Sequence, residues 1–488
     1  MSNQLATLGV PVCATALVLL VGWRLLGKKK LPLPPGPKGY PVVGNLFDMP
    51  KENDSPVYSE WQKTYGDMIH ISVLGKHFLI ISSLKVAADL LQKRSTYYSG
   101  RMRFIFGGEL CHHNHSMVLQ EGAYHREMRK CGHRALNSTA VKQWQWLEEE
   151  AAHETLRRLL QNPTDFVKHF HRNAAFSIMR IAYGYQLKRE DDPLLRNANK
   201  VLDNFSKACA PGRWLVDVIP FLRYVPEWVP GAGFKKTARI WAHEREQLYN
   251  VPFDFVKKGM VAGTALPSMT ALLLDTKKPH TNEEHIKDAI GSLYAGGTDT
   301  TPSALTSFVL AMTLYPHVQR KARAELDQLL RWGPVVAMGV PHRLIKEDEY
   351  KGYRIPKNTI VLTNIWHMNR DSSAYGPDVD DFRPERFLGP DPTPWGFSTS
   401  NTQEFGSPAF GFGRRVCPGE HLADSSLYIV CSSMLATMDI SPVSGPDGTP
   451  AMPEIQYTSG VVIHPKAFQC NIKARSAKAA ELINGTAL

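Results

Sequence analysis

The stretch Ser407-Pro-Ala-Phe-Gly-Phe-Gly-Arg-Arg-Val-Cys417-Pro-Gly-Glu-His-Leu-Ala423 decides how the rest of the chain is read. Cys417 sits in a glycine-rich loop directly before a helix start. Gly411, Gly413 and Gly419 carry no side chain, so backbone amides can approach the sulfur. Amide donors and a helix N-terminus both stabilise a thiolate. A thiolate can ligate heme iron and donate electron density that favours O–O cleavage. The same residues can also form a turn around a buried, inert cysteine. A dinucleotide-binding turn does not fit, because Gly411-x-Gly413 is followed three residues later by Val416 and not by glycine.

A second segment bears on the choice: Ala295-Gly-Gly-Thr-Asp-Thr-Thr-Pro302, in a helix-like region. Two glycines and a proline weaken a helical backbone ladder and leave room for water. An acid beside a hydroxyl in such a widened turn can relay protons. The alternative is a helix end capped by Asp299 or Thr300, with Pro302 after the stop.

Composition sets the frame for both. The chain has 488 residues, 43% hydrophobic and 21% charged, which excludes a disordered or collagen-like chain and allows a large core. Seven cysteines, at 13, 111, 131, 209, 417, 431 and 470, form no C-x-x-C pair. A disulfide scaffold and a multi-cysteine zinc site are therefore disfavoured, and a reducing compartment is favoured. The net charge of +11 is dispersed in short clusters such as Lys28–Lys30, Arg126/Arg129/Lys130 and Arg414/Arg415. No basic stripe with interleaved aromatics occurs, so no nucleic-acid partner is expected. Ile69 to Ser82 resembles two strands around a Gly75-Lys76 turn, residues about 140–330 read mostly helical, and Thr359-Ile-Val-Leu-Thr363 reads as a strand. The class is mainly α with a minor β part. No linker divides residues 40–488, so one large domain is expected.

In these segments the chain resembles the cytochrome P450 family of heme-thiolate monooxygenases. The family's heme-loop pattern F-x-x-G-x-R-x-C-x-G matches at Phe410, Gly413, Arg415, Cys417 and Gly419. Its oxygen-activation pattern [AG]-G-x-[DE]-T-[TS] matches from Gly296 to Thr301. Phe382-Arg-Pro-Glu-Arg-Phe387 matches the P-E-R-F element. The resemblance spans roughly residues 31–470 and has the look of a fungal microsomal member. It implies a heme b cofactor with Cys417 as the axial metal ligand, Phe410 packed beside the sulfur, and Arg415 paired with a propionate. It implies that Thr300 hydrogen-bonds the activated oxygen while Asp299 feeds protons. His342 and Arg343 lie where a basic residue usually meets a propionate. Arg129 matches the arginine of W-x-x-x-R, with His125 in place of the Trp; both rings can donate an N–H.

One departure stands out. The family carries E-x-x-R upstream of P-E-R-F, its Glu and Arg joining the P-E-R-F arginine in a buried ion-pair network. Here the candidate is Gln328-Leu-Leu-Arg331, with Arg386 as the third member. The preceding stretch, Leu314 to Asp327, runs almost directly into Leu329-Leu-Arg-Trp, so the chain is short at this join. Asp327 is at i−4 from Arg331 and is within reach of it on a helix. Losing one partner of a buried pair costs about 3–5 kcal/mol. A second reading therefore follows: a heme-binding protein with impaired or lost turnover. An error in the gene sequence at the join is a further reading.

The N-terminus carries an address. Ala6 to Trp23 has no charge, and Lys28-Lys29-Lys30 closes the run. Spanning hydrocarbon takes about 20 apolar residues, which is reached if Arg24 snorkels. Lysines after the run place the remainder in the cytosol. The expectation is a single-pass anchor at 1–30 in the endoplasmic reticulum membrane, a proline hinge at 31–39, and a heme domain at 40–488 facing the cytosol. By resemblance the partners are NADPH–cytochrome P450 reductase and a lipophilic small molecule. Arg126, Lys130 and Arg414 are candidate contacts for the reductase. Cys111-His-His-Asn-His115 reads as a solvated loop rather than a metal site, because adjacent residues rarely converge on one ion. For Phe104, Phe106 and Val335, core packing is favoured over pocket lining.

Overall fold

The computed structural model describes residues 31–50, 54–187, 192–210, 212–275, 282–321, 331–383 and 408–485. The expected anchor at 1–30, together with Asp327, Gln328 and Arg386, lies outside the described residues. Among the described residues, no helix is long and apolar enough to cross a membrane.

The described helices longer than ten residues are α1 (Asp54–Tyr65), α2 (Gly122–Leu136), α3 (Gln145–Gln161), α4 (Phe166–Tyr183), α5 (Pro193–Ala208), α6 (Phe234–Val261), α7 (Glu283–Leu314) and α8 (Glu420–Thr437). The strands used below are β1 (Met68–Val73), β2 (Lys76–Ile81), β3 (Gly100–Arg101), β4 (His342–Arg343), β5 (Asp348–Tyr350), β6 (Tyr353–Ile355), β7 (Ile360–Thr363), β8 (Met438–Ser441) and β9 (Asn471–Ala474). This is the expected mainly helical fold with a minor β part.

α7 is the axis. Asn282 caps it, its side chain accepting from Glu284 N at 2.8 Å, and Glu283 and Glu284 meet the positive helix end. Every residue from Ala304 to Met312 is buried, as in a helix enclosed on all sides. α7 runs through two core clusters. Ile286 to Tyr294 packs with Met128 of α2, Ile178 of α4 and Tyr249 of α6. Ala304 to Met312 packs with Leu156 of α3, Phe170 of α4 and Met434 of α8. The Gly-Asp-Thr segment falls between them. Pro302 lies inside the helix and does not end it. A proline in a helix interior costs about 3 kcal/mol; the two flanking clusters hold the helix continuous despite it.

The main sheet has the order β1-β2-β7-β4-β3. β1 and β2 form the expected hairpin, with Met68 opposite Ile81 and Val73 opposite Lys76. The turn is Leu74-Gly75, both at positive φ, so Lys76 is the first residue of β2 rather than a turn residue. β7 joins β2 in parallel, and the two-residue strands β4 and β3 complete the sheet. The proline segment is seated on the β structure: His70 N donates to Pro35 O, and Arg354 N in β6 donates to Pro32 O, both at 2.8 Å. A Cβ at Gly36 would lie 1.9 Å from His70 O, so backbone meets backbone there.

The Cys111–His115 segment meets the solvated-loop expectation only in part. His112, Asn114 and His115 are exposed, while Cys111 and His113 are buried, with His113 packed edge-on against Phe205. His112 meets Glu246 at 3.0 Å. The core-packing expectation holds for Phe106, which stacks on Trp214 with ring centroids 3.5 Å apart.

Candidate active site

The cysteine loop is built from two short 3-10 turns, Pro408–Phe410 and Gly413–Arg415, before α8 begins at Glu420. Cys417 N donates to Phe410 O at 2.8 Å, closing the loop on itself. Gly413 has φ +55°, and a Cβ there would lie 2.2 Å from Leu91 O. The role of Gly413 therefore differs from the one expected: it lets the loop rest on the Ala88–Lys93 turn, not on the sulfur. Gly419 is the glycine at the sulfur, its N–H hydrogen-bonding Cys417. Burial pushes the Cys417 thiol up, the Gly419 amide and Arg129 pull it down, and Glu420 and Asp424 push it up. Phe410 packs on the cluster shared by α7 and α8.

On α7 the two glycines differ in duty. A Cβ at Gly297 would come within 3.1 Å of Ile178, so this glycine brings α7 close to α4. A Cβ at Gly296 would meet nothing within 4 Å, and Thr300 lies one turn along on that open face. Thr300 Oγ1 donates to Gly296 O at 2.8 Å. Its hydrogen is thus committed to the helix and its oxygen is left to accept. Asp299 Oδ1 lies 3.2 Å from Nε2 of His464, a residue that the sequence did not single out.

The third component is a basic pocket gathered from separate elements. Arg129 of α2 donates from Nη1 to Val416 O at 2.7 Å, joining helix to cysteine loop. Arg415 donates from Nε to Ser99 O at 2.9 Å. His342 places Nδ1 2.8 Å from Tyr98 O. His125 lies one turn before Arg129 on α2 and is buried. The unexpected member is Arg101 of β3, which is buried and donates to Val118 O at 2.9 Å, Val340 O at 2.6 Å and Pro341 O at 3.2 Å. Arg343 is spent elsewhere: Nη2 reaches both oxygens of Glu121 at 3.0 and 2.7 Å, Nη1 reaches Asn358 at 3.1 Å, and Nε reaches Arg101 O at 2.9 Å.

These groups repel one another. Burial lowers the Arg101 guanidinium, Arg415 lowers it further, and Glu121 alone opposes them. Burial holds His125 down to about 3, with Arg415, Arg129, Arg101 and Arg126 adding to the effect. Burial likewise lowers His342, helped by Arg101 and Arg415. Among the described residues, Glu121 is the carboxylate that acts on Arg101 and Arg415, and Arg343 already engages it; Arg129 faces the Cys417 thiol instead. Such a donor set calls for an added anion. A paired carboxylate group next to Cys417 meets that demand, so the residues fit a heme with two propionates and a thiolate ligand.

Arg331 is buried at some remove and keeps its place. It donates from Nη1 to Asn369 O at 2.8 Å and Val379 O at 3.1 Å, and its guanidinium covers the Tyr375 ring at 5.1 Å.

Comparison with known proteins agrees with this geometry. The sequence model of the family described as Cytochrome P450 matches residues 34–332 and 329–472. The two matches meet at the short join identified above. The chain is similar to Cytochrome P450 monooxygenase 208 of Postia placenta, 40% identical over 97% of this chain and 96% of the relative. It is also similar to Cytochrome P450 monooxygenase claR of Ampulloclitocybe clavipes, 37% identical over 98% and 94%. A third relative is Cytochrome P450 monooxygenase COX2 of Coprinopsis cinerea, 36% identical over 98% and 95%. The first two alignments run to 502 and 513 positions against 488 residues here, so the relatives carry residues with no counterpart in this chain. With a family match over nearly its whole length and a cysteine loop and basic pocket that fit the family's cofactor, the chain belongs to the cytochrome P450 family.

Proposed function

We propose that the protein is a heme-thiolate monooxygenase that oxidises an unreactive C–H bond of a lipophilic small molecule, in fungal secondary metabolism. Heme b, when bound, supplies the oxygen-activating chemistry, and NADPH supplies electrons through a separate flavoprotein reductase. Cys417 would hold the iron, and Arg101, Arg129, Arg415, His125 and His342 would hold the propionates. The observation that carries the reading is the buried excess of guanidinium beside Cys417. Thr300 Oγ1, with its own hydrogen on Gly296 O, is an acceptor for a group that bears a proton. Asp299 is the acid one residue away. Oxygen insertion with release of the second oxygen atom as water consumes protons, and these neighbours are the acid and the hydroxyl that can pass them on.

Membrane association is part of the proposal, with residues 1–30 as a single-pass anchor in the endoplasmic reticulum and the heme domain toward the cytosol. Exposed apolar side chains support it. Trp228 is 83% exposed, Phe221 72% and Val42 92%. The segment that carries Val42 and the short helix before Phe221 each meet the β1–β2 hairpin. Gly44 bridges to Val73, and Lys76 Nζ donates to Asp217 O at 3.0 Å. An apolar face of this kind suits a lipid surface and a lipophilic substrate. Arg126 and Lys130 are exposed one turn apart on α2, and Arg414 is exposed on the cysteine loop. They are proposed as reductase contacts. The reading that turnover is lost at the short join is not preferred, because Arg331 remains bonded to the segment behind the site.

The test is reconstitution with a reductase in vesicles. NADPH consumption that depends on O2 and on a lipophilic substrate, with a hydroxylated product, is expected. Rates should fall as salt screens the basic contacts. Heme binding without NADPH consumption across a broad substrate panel overturns the enzymatic reading.

A further inference from the structure

Three side chains from three elements meet beside the oxygen-activation motif. A ring nitrogen of His171 on α4, a carboxylate oxygen of Asp299 on α7 and a ring nitrogen of His464 all lie within 4.8 Å of one another. His464 belongs to the loop before β9. The closest pair is His464 Nε2 and Asp299 Oδ1 at 3.2 Å. Both side chains are about a quarter exposed, 27% and 25%, so this pair sits at the edge of solvent rather than deep in the core.

The loop that carries His464 is fastened on every side. Ser303 Oγ donates to Ile463 O at 2.6 Å. Ile463 N donates to Val335 O at 2.9 Å. His464 N donates to Thr458 Oγ1 at 3.0 Å, and Thr458 N donates to His464 O at 2.8 Å. Ser303 is one turn beyond Asp299 on α7, so the same helix face presents the carboxylate and the anchor for its partner. His171 completes the group. Its Nδ1 is buried and has no hydrogen-bond partner among the described residues. Burial lowers its basicity, the Asp299 charge opposes this, and His464 adds to it. A neutral imidazole that can both accept and donate therefore lies beside the carboxylate.

We infer that His464 is the positioning residue that orients the Asp299 carboxylate and returns a proton to it in each turnover, with His171 as a second, neutral member of the same path. The inference rests on the monooxygenase reading. In the step itself the imidazolium form of His464 breaks its Nε2–H bond as an Asp299 O–H bond forms, leaving a neutral imidazole and a carboxylic acid. The imidazole is recharged by a hydronium or buffer proton at the solvent edge, and the carboxylic acid passes its proton toward Thr300. No electron moves and no other reactant is needed. A proton delivered late leaves reduced oxygen to escape as hydrogen peroxide.

The test uses the full chain in vesicles with its reductase. Peroxide and product formed per NADPH are measured for wild type, His464→Gln, Asp299→Asn and the double variant. Gln keeps an N–H donor but cannot shuttle a proton as imidazole does. General acid–base groups contribute about 10²–10⁴ in rate; with water as a partial substitute, His464→Gln is expected to lose roughly tenfold in product per NADPH. Substrate KM and the reduced carbon-monoxide spectrum should stay as in wild type, which excludes misfolding. The double variant should be no worse than Asp299→Asn, because residues acting as one unit are not additive. Wild-type coupling in His464→Gln, or losses that multiply in the double variant, overturns the inference. If the wild type itself shows a thiolate spectrum without NADPH consumption, it is the monooxygenase reading that fails. His464→Phe supplies a second variant should Gln not fold.

Discussion

The cysteine loop and the basic pocket beside it are built in opposite ways. The loop is local: Cys417, Phe410, Gly413 and Gly419 lie within ten residues, with Cys417 N donating to Phe410 O, Val416 N to Gly413 O and the Gly419 amide to Cys417. The pocket is assembled at a distance, from β3, α2, β4 and the loop itself, and its members repel. The loop holds its shape by backbone hydrogen bonds whether or not anything is bound. The pocket holds cations together at a cost that an anion offsets. One region is therefore stable by itself and the other is complete only with its ligand.

That contrast predicts different responses. The largest belongs to Arg101. Replacing it with Leu removes a buried cation, and hydrogen bonds to charged groups contribute about 1.5–3 kcal/mol. Heme should leave the variant on the order of ten- to a hundredfold faster, measured by transfer to an apo-globin acceptor. Arg343→Leu should change heme loss far less, since its guanidinium serves Glu121. Equal effects would dissolve the distinction between the two arginines.

The loop should respond in stability instead. Gly413→Ala forces a Cβ against Leu91 O at positive φ, and overpacking of this kind costs about 1–3 kcal/mol. Gly419→Ala places its Cβ at an ordinary 3.9 Å from the sulfur and should be tolerated in stability. Urea unfolding of the two variants, without and with heme, compares them. A Gly413→Ala protein as stable as wild type would contradict the seating on Leu91.

The smallest effect lies outside both regions, in His113. Burial holds its pKa to about 3, with Arg245 and His112 contributing. In the unfolded chain a histidine titrates near 6.5. Below that value the unfolded state binds the extra proton. The stability tied to a neutral His113 is therefore full above pH 6.5 and is lost as pH falls toward 3. Its Nε2 has no partner among the described residues, so Leu forfeits no hydrogen bond at that atom. His113→Leu should show a shallower fall in Tm between pH 7 and pH 5. A slope unchanged from wild type would show that His113 is not buried in solution.

The same contrast explains what could be read from the sequence. Cys417 and the Asp299–Thr300 pair were legible because each is a run of neighbours whose spacing is its geometry. Arg101 was not. It enters through a two-residue strand whose pairing with His342 spans about half of the chain. His464 was missed for the same reason, lying far from Asp299 in sequence and brought in by a loop with no strand or helix pattern. Pro302 argued locally for a helix end, and two core clusters overrode it. Cys111 to His115 looked polar enough for solvent, yet a single ring in that run, His113, turns inward against Phe205.

If the loop and the pocket form one heme-thiolate site, the reduced carbon-monoxide difference spectrum of the purified chain and of Cys417→Ala will show it. A thiolate-type peak is expected for the wild type and its loss in Cys417→Ala, with heme still retained by the basic pocket. A wild-type protein with no heme, or with heme and no thiolate peak, would contradict it.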